Sequence, residues 1–360
     1  MDTGTHTAAD ALADRLLTDT LGALELFSVF LGRELGLYEA LAAGPCTPDG
    51  LARTAGIAPR YAREWLEQQA AAGLLETITS KDLRRYALPA AYRPVLLEPE
   101  SPAHVAPLAD LIAGIAGVLP RLPDAYRSGA GVPYRDYGPI FRRGQGGINR
   151  PMIAHELPGW LAAVPGLGAR LTAPASPRIA DVACGEGWST VALARAFPGA
   201  LLDAYDIDPD SVGVARSNAA AAGVASRVEC HLADAAEKGA LGGPYDLILI
   251  VEALHDLARP VPLLEAARDA LGPGGVIVVV DERVADRFRA PAGEVERLMY
   301  GWSVTHCLPA ALAEQPSAGL GTVLRAPAVV ALAEAAGLGA EVLPLGNDFF
   351  RVYALSASAG

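Results

Sequence analysis

The segment that most restricts the fold of this 360-residue chain is RIADVACGEGWST, at residues 178–190. A short apolar run leads into a turn of small residues, and an Ala-rich helical pattern follows. This order is typical of ligand-binding α/β domains, because the first N–H groups of the helix are free to bind. The small residues stand at Ala183, Gly185 and Gly187, not in the G-x-G-x-x-G spacing of dinucleotide sites. This spacing favours a nucleoside–amino-acid cofactor over a pyrophosphate.

Apolar runs alternate with Ala-rich helical patterns after this turn, which predicts a doubly wound α/β sheet. The further predicted strands are Leu201–Tyr205, Arg227–Leu232, Tyr245–Val251 and Val276–Val280, with a closing hairpin of Glu341–Leu345 and Phe349–Leu355. A helix is expected to end in the LGPGG turn at 271–275. Ligands of such sheets lie beyond the carboxyl ends of the strands. We therefore expect Asp206, after the second strand, to accept ribose hydroxyls, and Asp234, after the third, to accept an adenine amine.

The first half of the chain consists of helical patterns joined by short polar breaks. Thr47-Pro48-Asp49 supplies an N-cap and a first-turn proline, Gly56 ends that helix, and a second helix runs over 59–73. Two strand-like runs follow, Leu75–Thr79 and Arg85–Leu88, around the turn Ser80-Lys81-Asp82. The order of helices and hairpin predicts a winged helix.

A winged helix either binds DNA or serves as a dimerisation platform. Glu64 and Glu67 stand on the second helix, where they would repel the phosphates of a DNA groove. The helix before the winged helix carries Leu17, Leu21 and Leu24 within an apolar stripe, so it is either deeply buried or packs on a second subunit. We therefore expect a homodimer and no binding of nucleic acid.

Composition limits the other classes of function. The net charge of −12 argues against nucleic acid or an anionic membrane as a partner, and the 51% hydrophobic content is sufficient for two cores. The four cysteines lack metal-ligand spacing, so we expect neither a metal site nor a disulfide framework. The polar start, MDTGTHTAAD, has no signal-peptide pattern, and the sequence therefore predicts a cytoplasmic protein.

Residues 178–281 resemble the core of class I S-adenosylmethionine-dependent methyltransferases. The resemblance lies in DVACGEG, in Asp206, in the Ala-Asp pair at 233–234 and in LGPGG. Together with the winged helix, and with LGRELGLYEALAAG, YAREWLEQQAAAGLL and THCLPA, the chain is similar to bacterial small-molecule O-methyltransferases. Their layout is like that of plant natural-product O-methyltransferases. The resemblance implies a seven-stranded Rossmann-like sheet, the cofactor S-adenosyl-L-methionine and a small-molecule acceptor, most simply a hydroxyl of an aromatic or other natural product.

The resemblance also implies roles for single residues. His255, in the His-Asp pair after the fourth strand, falls where the plant-like enzymes carry a catalytic base. The implied cofactor-binding residues are Asp181, Ala183, Gly185, Gly187, Asp206, Ile207, Asp234, Ala235 and Glu252. Two positions depart from the family pattern: Ala183 replaces a glycine, and Leu257 replaces the Trp that often follows His-Asp. Asp256 either orients His255 or caps the next helix, and we expect the cap.

The acceptor pocket is less clearly patterned. Its candidate residues are Tyr137, His155, Trp302 and His306, with Tyr137 and His306 ranked first; Tyr134 and Trp160 are further candidates for which core packing is the better interpretation. Cys184 and Cys307 are interpreted as small apolar residues. The predicted division is a winged-helix domain at 1–100, a helical connector at 101–174 and a cofactor domain at 175–360, with a linker at 172–177.

Three other functions stay open on the sequence. A cyclase or cyclopropane-forming enzyme would use the same cofactor, but only methyl transfer to a hydroxyl gives a methyl ether. A winged-helix regulator that senses the cofactor would show salt-dependent DNA binding. A nicotinamide oxidoreductase is disfavoured by the turn spacing and by the closing hairpin.

Overall fold

A computed structural model of the chain describes residues 7–81, 83–173 and 176–357. Residues 1–6 of the polar start, Asp82 of the predicted hairpin turn and residues 174–175 of the predicted linker lie outside the described residues. By internal contacts the chain divides into two compact units, residues 1–114 with 143–151 and residues 115–142 with 152–360. The three-part division at 100 and 174 stays a prediction.

The α-helices, numbered along the chain, are α1 Ala8–Glu34, α2 Leu37–Ala42, α3 Pro48–Ala55, α4 Pro59–Ala71, α5 Arg93–Leu96, α6 Pro107–Val118, α7 Leu122–Ser128, α8 Gly138–His155, α9 Leu157–Ala163, α10 Leu167–Leu171, α11 Trp188–Ala196, α12 Pro209–Ala221, α13 Pro260–Asp269, α14 Glu294–Trp302, α15 Leu308–Ala311 and α16 Ala326–Ala335. The strands are β1 Glu76–Ser80, β2 Leu83–Ala87, β3 Arg178–Val182, β4 Leu201–Asp206, β5 Val228–Leu232, β6 Tyr245–Val251, β7 Leu271–Glu282, β8 Leu338–Val342 and β9 Phe350–Ala357. Among the described residues, no helix is both long enough and apolar enough to span a membrane.

The first unit contains the predicted winged helix. The Thr47 hydroxyl accepts a hydrogen bond from the N–H of Gly50 at 3.2 Å, which caps α3, and Gly56 ends that helix with a φ of +68°. α4 follows, and β1 and β2 pair antiparallel as the wing. Because these caps and breaks are local signals, the sequence predicted the order of elements correctly.

A buried carboxylate connects distant segments of the same unit. Asp110, on α6, is fully buried, and its Oδ2 lies 3.0 Å from Nη2 of Arg33 on α1. Nε of Arg143 lies 3.2 Å from the same oxygen. A buried carboxylate with two guanidinium partners holds these segments together, since loss of either partner would leave charge unpaired.

The second unit is built on a seven-stranded sheet of order β5-β4-β3-β6-β7-β9-β8. The strands from β5 to β7 pair in parallel, and β9 runs antiparallel to β7 and β8. Alternate side chains of β6 enter different cores: Leu247 and Leu249 pack on one face, and Ile248 and Ile250 on the other. A strand buried on both faces has to be apolar there, as β6 is from Leu247 to Val251. This is the predicted doubly wound Rossmann-like fold.

The LGPGG segment corrects one expectation. It does not separate a helix from a strand, because α13 ends at Asp269 and β7 begins at Leu271. Tyr245 pairs with Leu271, and the next aligned pair on β6 and β7 is Leu247 with Val276. Residues 272–275 therefore form an irregularity inside the strand, which pairing with β6 holds in place.

Candidate active site

The turn between β3 and α11 is bent by three residues in the left-handed region: φ is +56° at Ala183, +52° at Gly185 and +77° at Gly187. A Cβ at Gly187 would lie 2.9 Å from the Cβ of Ala215, so a side chain there would clash with α12. A Cβ at Gly185 would meet no atom within 4 Å. The turn thus packs closely against α12 at Gly187 and faces open space at Gly185.

Asp181 lies at the end of β3, below this turn. Its Oδ2 accepts hydrogen bonds from the hydroxyls of Ser189 and Thr190, at 2.6 and 2.5 Å. Burial raises the pKa of the Asp181 carboxyl to about 6, although these two hydrogen bonds oppose the rise. Its Oδ1 is buried and has no hydrogen-bond partner among the described residues. A buried oxygen of this kind is available to a ligand.

Asp206, at the end of β4, is joined to the same turn. One of its oxygens accepts the N–H of Gly185 at 2.8 Å, and the other accepts the N–H of Asp208 at 2.8 Å. Burial raises the pKa of Asp206 in spite of these bonds. A carboxylate has more acceptor positions than these two bonds use, so ribose hydroxyls could still bind to it. The adjacent Ile207 is 54% exposed and offers an apolar surface there.

Asp234 follows β5 and is already engaged. Its Oδ1 accepts the N–H of Ala236 at 2.8 Å, and its Oδ2 pairs with Arg259. Arg259 also lies 2.7 Å from Glu237, and Ala235 beside Asp234 is buried. The sequence offered no signal for this arginine, which lies 25 residues further along the chain. An adenine amine at Asp234 would share the carboxylate with Arg259.

His255 lies in a short 3₁₀ turn, Leu254–Asp256, directly after β6. Its Nδ1 is 2.8 Å from Oδ1 of Asp281 on β7, and its Nε2 is 3.4 Å from Oδ1 of Asp256. Burial opposes the charged imidazole, but the carboxylates of Asp281 and Asp256 outweigh it and raise the pKa of His255 well above its usual value. The hydrogen bond from Nδ1–H to Asp281 would leave Nε2 as the nitrogen that accepts a proton.

The expected helix cap at Asp256 is wrong. α13 begins at Pro260, with Arg259 as the residue before it, so Asp256 is too early in the chain to cap it. Asp256 closes the 3₁₀ turn instead, and its Oδ1 is directed towards His255.

Two glutamates lie near this histidine. Glu252, at the carboxyl end of β6, has a φ of +52°, which is a strained conformation for a residue with a side chain. Glu282, which ends β7, is buried. Burial and the neighbouring charge of Glu252 raise the pKa of Glu282 well above its usual value. The sequence predicted Glu252 at the site but not Glu282.

Four rings form a cluster that includes both first-ranked acceptor residues. We call Tyr134, Tyr137, Phe141 and His306 the aromatic cluster. The His306 ring centroid lies 4.1 Å from that of Phe141, 4.6 Å from that of Tyr137 and 5.8 Å from that of Tyr134. The hydroxyl of Tyr137 donates to the carbonyl of Thr305 at 2.9 Å, which holds the cluster to the segment carrying His306.

His306 and Cys307 belong to a π-helical turn, Ser303–Cys307, of the kind often found at functional sites. Burial lowers the pKa of His306 to about 4, so its imidazole is neutral near pH 7. Its Nδ1 lies 3.4 Å from Sγ of Cys307, and its buried Nε2 has no hydrogen-bond partner among the described residues. Cys307 thus connects the aromatic cluster to His255, since its Sγ lies within 4.8 Å of a ring nitrogen of that histidine.

The other two predicted acceptor residues lie at the ends of helices. His155 ends α8 with an exposed side chain, and Trp302 ends α14, half-buried. Their roles in acceptor binding stay predictions.

Arg142 is a residue that sequence reasoning missed. It follows Phe141 on α8 and is buried. Its Nη2 donates to Asp210 at 2.7 Å, and its Nε is 3.6 Å from Asp208. It therefore fixes the segment after Asp206 to the segment that carries Tyr134 and Phe141, a contact that no local pattern indicates.

The residues at the strand ends fit an adenosyl sulfonium cofactor. The space in front of Gly185, the unpartnered Oδ1 of Asp181 and the carboxylate of Asp206 lie around one glycine turn. A cationic sulfonium with a ribose diol and an amino group matches this mainly acidic set of acceptors.

Comparison with known proteins supports this assignment. Residues 179–275 match the family described as a methyltransferase domain, and residues 22–97 match the Rv2258c-like winged HTH domain. The 3-hydroxy-5-methyl-1-naphthoate 3-O-methyltransferase of Streptomyces sahachiroi is 29% identical over 298 residues, which cover 80% of this chain and 83% of that protein. The release factor glutamine methyltransferase of Chlorobaculum tepidum is 43% identical over 77 residues, 21% of this chain. The chain spans about a quarter of the length of the first curated relatives that it matches, 24% and 26%.

Solved structures share the fold over nearly the whole chain. Human N-acetylserotonin methyltransferase, in complex with S-adenosylmethionine, has a TM-score of 0.73 at 19% identity and covers 99% of this chain and 100% of its own. The mitomycin 7-O-methyltransferase MmcR has a TM-score of 0.69 at 23% identity, with 98% and 99% covered. Residues 179–275 are therefore assigned to a methyltransferase domain, and residues 22–97, which precede it, to an Rv2258c-like winged helix-turn-helix domain.

Proposed function

We propose that the protein transfers a methyl group from S-adenosylmethionine to a hydroxyl of a small aromatic acceptor, with His255 as the general base. The observation that carries the proposal is the buried pair of His255 and Asp281 at the carboxyl end of the sheet, with Cys307 and the aromatic cluster beside it. The naphthoate 3-O-methyltransferase that resembles this chain over most of its length acts on an aromatic hydroxyl.

The chemistry needs alignment and one proton acceptor. When bound, S-adenosylmethionine supplies an electrophilic methyl group on a positively charged sulfur. Asp181, Asp206 and the glycine turn would hold it in front of Gly185, and Asp234 would contact the adenine. The acceptor ring would pack on the aromatic cluster, and its hydroxyl would give its proton to Nε2 of the neutral form of His255. Asp281 keeps the imidazole in the required tautomer and stabilises its charged form.

We also propose that the protein is a homodimer formed through α1. Leu17, Leu24 and Leu31 are 71%, 58% and 48% exposed in the single chain and recur every seven residues. Leu21 lies between Leu17 and Leu24, Leu35 follows the end of α1, and both are also exposed. A seam with this repeat is typical of helix pairing between subunits.

A cytoplasmic location stays a prediction from the cysteine and N-terminal patterns.

Replacement of the base tests the proposed function. His255→Asn should reduce turnover by roughly 10²- to 10⁴-fold, the usual contribution of a positioned base, while S-adenosylmethionine binding by calorimetry is kept. His231→Asn, at a histidine on β5 outside the site, is the matched control and should retain turnover. Unchanged turnover in His255→Asn would remove this residue from the mechanism.

The mass of the product decides between transfer and cyclisation. Incubation with a panel of hydroxylated naphthoates and related phenols should give products that are heavier by one CH₂ than the acceptor. A product of unchanged mass, or one with a new ring, would favour the cyclase alternative instead.

A further inference from the structure

The proposed base and two neighbouring side chains bring three different kinds of ligating atom close together. A ring nitrogen of His255, a carboxylate oxygen of Asp256 and Sγ of Cys307 all lie within 4.8 Å of one another. They come from two segments, the 3₁₀ turn after β6 and the π-helical turn after α14. Because about fifty residues separate these segments, no cysteine or histidine spacing in the sequence indicates the group.

The spacing of these atoms suits a tetrahedral metal ion. Nε2 of His255 and Oδ1 of Asp256 are 3.4 Å apart. Two ligands at about 2.0–2.1 Å from a zinc ion, at a tetrahedral angle, are separated by roughly 3.3–3.4 Å. One nitrogen, one carboxylate oxygen and one thiolate sulfur are also all ligands that zinc accepts.

The surroundings of the three ligands resemble those of known zinc sites. Nδ1 of His255 is bonded to Asp281 at 2.8 Å, and a carboxylate behind a ligating histidine is the usual outer partner in such sites. Oδ1 of Asp256 is buried and accepts no hydrogen bond from the described residues. A cation at this point would supply the partner that this oxygen lacks. The carboxylates of Asp256 and Asp281 already stabilise positive charge there.

The solvent exposure of the three ligands and their number are consistent with reversible binding of a metal ion. His255 and Cys307 are 3% and 5% exposed, while the side chain of Asp256 is 23% exposed and offers a route from solvent. Three protein ligands leave the fourth position of a tetrahedral ion open. On binding, the Cys307 thiol and the charged imidazole of His255 would each release a proton to solvent, because zinc is bound by the thiolate and by the neutral imidazole.

A second group of side chains also has its ligating atoms within 4.8 Å of one another: Asp203, Glu229 and His231. Its central carboxylate is already engaged, since Asp203 is bonded to Arg178 at 2.6 Å and to the hydroxyl of Tyr245 at 3.0 Å. A metal ion would have to displace the arginine there, so this group serves better as a control.

We propose that His255, Asp256 and Cys307 bind a single Zn²⁺ ion, and that the bound ion reversibly inhibits methyl transfer by occupying Nε2 of His255. The inhibition rests on the proposed function, because it requires His255 to be the base. The binding of the ion does not, because it depends only on the three ligands.

Cobalt is the probe for the ligands, since Co²⁺ replaces zinc and is coloured. Titration of the chelator-treated full-length protein with Co²⁺ should give visible bands of a tetrahedral ion and a near-ultraviolet thiolate-to-cobalt band at a stoichiometry of one. Cys307→Ala should lose the thiolate band, and Asp256→Asn should keep it but bind Co²⁺ roughly tenfold more weakly or worse. His231→Ala and Cys46→Ala, at residues outside the group, should behave like the wild type.

The outcomes separate the metal site from the proposed function. Turnover of the chelator-treated protein reports the function, and the cobalt spectrum reports the site. Zn²⁺ should inhibit the wild type, excess chelator should restore turnover, and Cys307→Ala should resist inhibition. A missing thiolate band in the wild type, or equal zinc inhibition of Cys307→Ala, would overturn the proposal. If Cys307→Ala does not fold by circular dichroism, unchanged cobalt affinity in Asp256→Asn contradicts it.

Discussion

Ala183 is held in the left-handed region, with a φ of +56°, at the bend between β3 and α11. This conformation strains any residue with a Cβ, whereas glycine adopts it freely. The related family usually carries glycine at this position, so the chain retains strain beside its cofactor turn.

Ala183→Gly should therefore stabilise the protein by about 0.5–1 kcal/mol, because the relieved strain exceeds the extra entropy of the unfolded glycine. Ala180→Gly is the matched control: Ala180 is fully buried in β3, and its change should destabilise by about 1 kcal/mol or more. Urea denaturation measures both values. Equal destabilisation by the two changes would mean that the bend at Ala183 is not strained.

Asp181 makes stability depend on pH. Burial raises its pKa from 3.8 to about 6, so the folded state binds the proton more tightly than the unfolded state. The contribution of this proton to the free energy of unfolding is complete below about pH 4 and is lost as the pH rises through 6. Its total is on the order of 3 kcal/mol, at 1.36 kcal/mol per pKa unit. In Asp181→Asn this loss should disappear. Denaturation curves at pH 4 and pH 7 should thus differ less for the variant; an equal difference in both proteins would contradict the pKa assignment.

The sequence predicted some residues of the candidate site but not the side chains that contact them. Asp206 was predicted because it follows a strand that the local sequence indicates, and His255 was predicted from the family resemblance. Asp281, Arg259 and Cys307 were not predicted as partners, since each comes from a segment that only folding brings near. The error at Asp256 has the same origin: an Asp before a proline-rich helix predicts a cap, but the helix begins later.

Helix α1 is the element whose exposed face most needs a partner. Leu26, Val29 and Arg33 face the interior of the first unit, whereas Leu17 and Leu24 are exposed on the opposite side. The sequence predicted an apolar helix but left open whether it is buried or paired with a second subunit. Packing within the single chain covers only one of the two apolar sides of α1.

Leu24→Glu should convert the proposed dimer to a monomer, because a carboxylate buried in an apolar seam would lack a partner. Thr18→Glu, on the same helix about 100° round from Leu17, is the control and should leave the dimer intact. Sedimentation velocity distinguishes the two states. A dimer that persists in Leu24→Glu would place the subunit contact elsewhere.

At the scale of the whole molecule, cofactor binding should appear as added stability. A ligand present at a hundred times its Kd stabilises the folded state by about 2.7 kcal/mol, which should raise Tm by roughly 5–10 °C for a unit of this size. S-adenosylhomocysteine is a suitable stable probe. Asp206→Ala should remove this shift, because the carboxylate at the end of β4 is proposed to hold the ribose.

The control for this change is Asp348→Ala, at an exposed position before β9, which should keep the full shift. The shift is measured against each variant's own Tm, so a loss of intrinsic stability in Asp206→Ala does not obscure the result. A normal shift in Asp206→Ala would mean that the ribose is held by other residues.

The sequence by itself determined the order of elements, the winged helix and the class of the cofactor domain. These follow from local patterns: caps at Thr47 and Asp208, the apolar run of β6 and the spacing of small residues in the turn. Only the tertiary structure decided which side chains meet. It placed Asp281 behind His255, Cys307 between two histidines and His306 among three aromatic rings, and it drew residues 271–275 into β7. Hydrogen bonds and ring contacts between distant segments depend on how the sheet and helices pack, and this packing has no local signal in the chain.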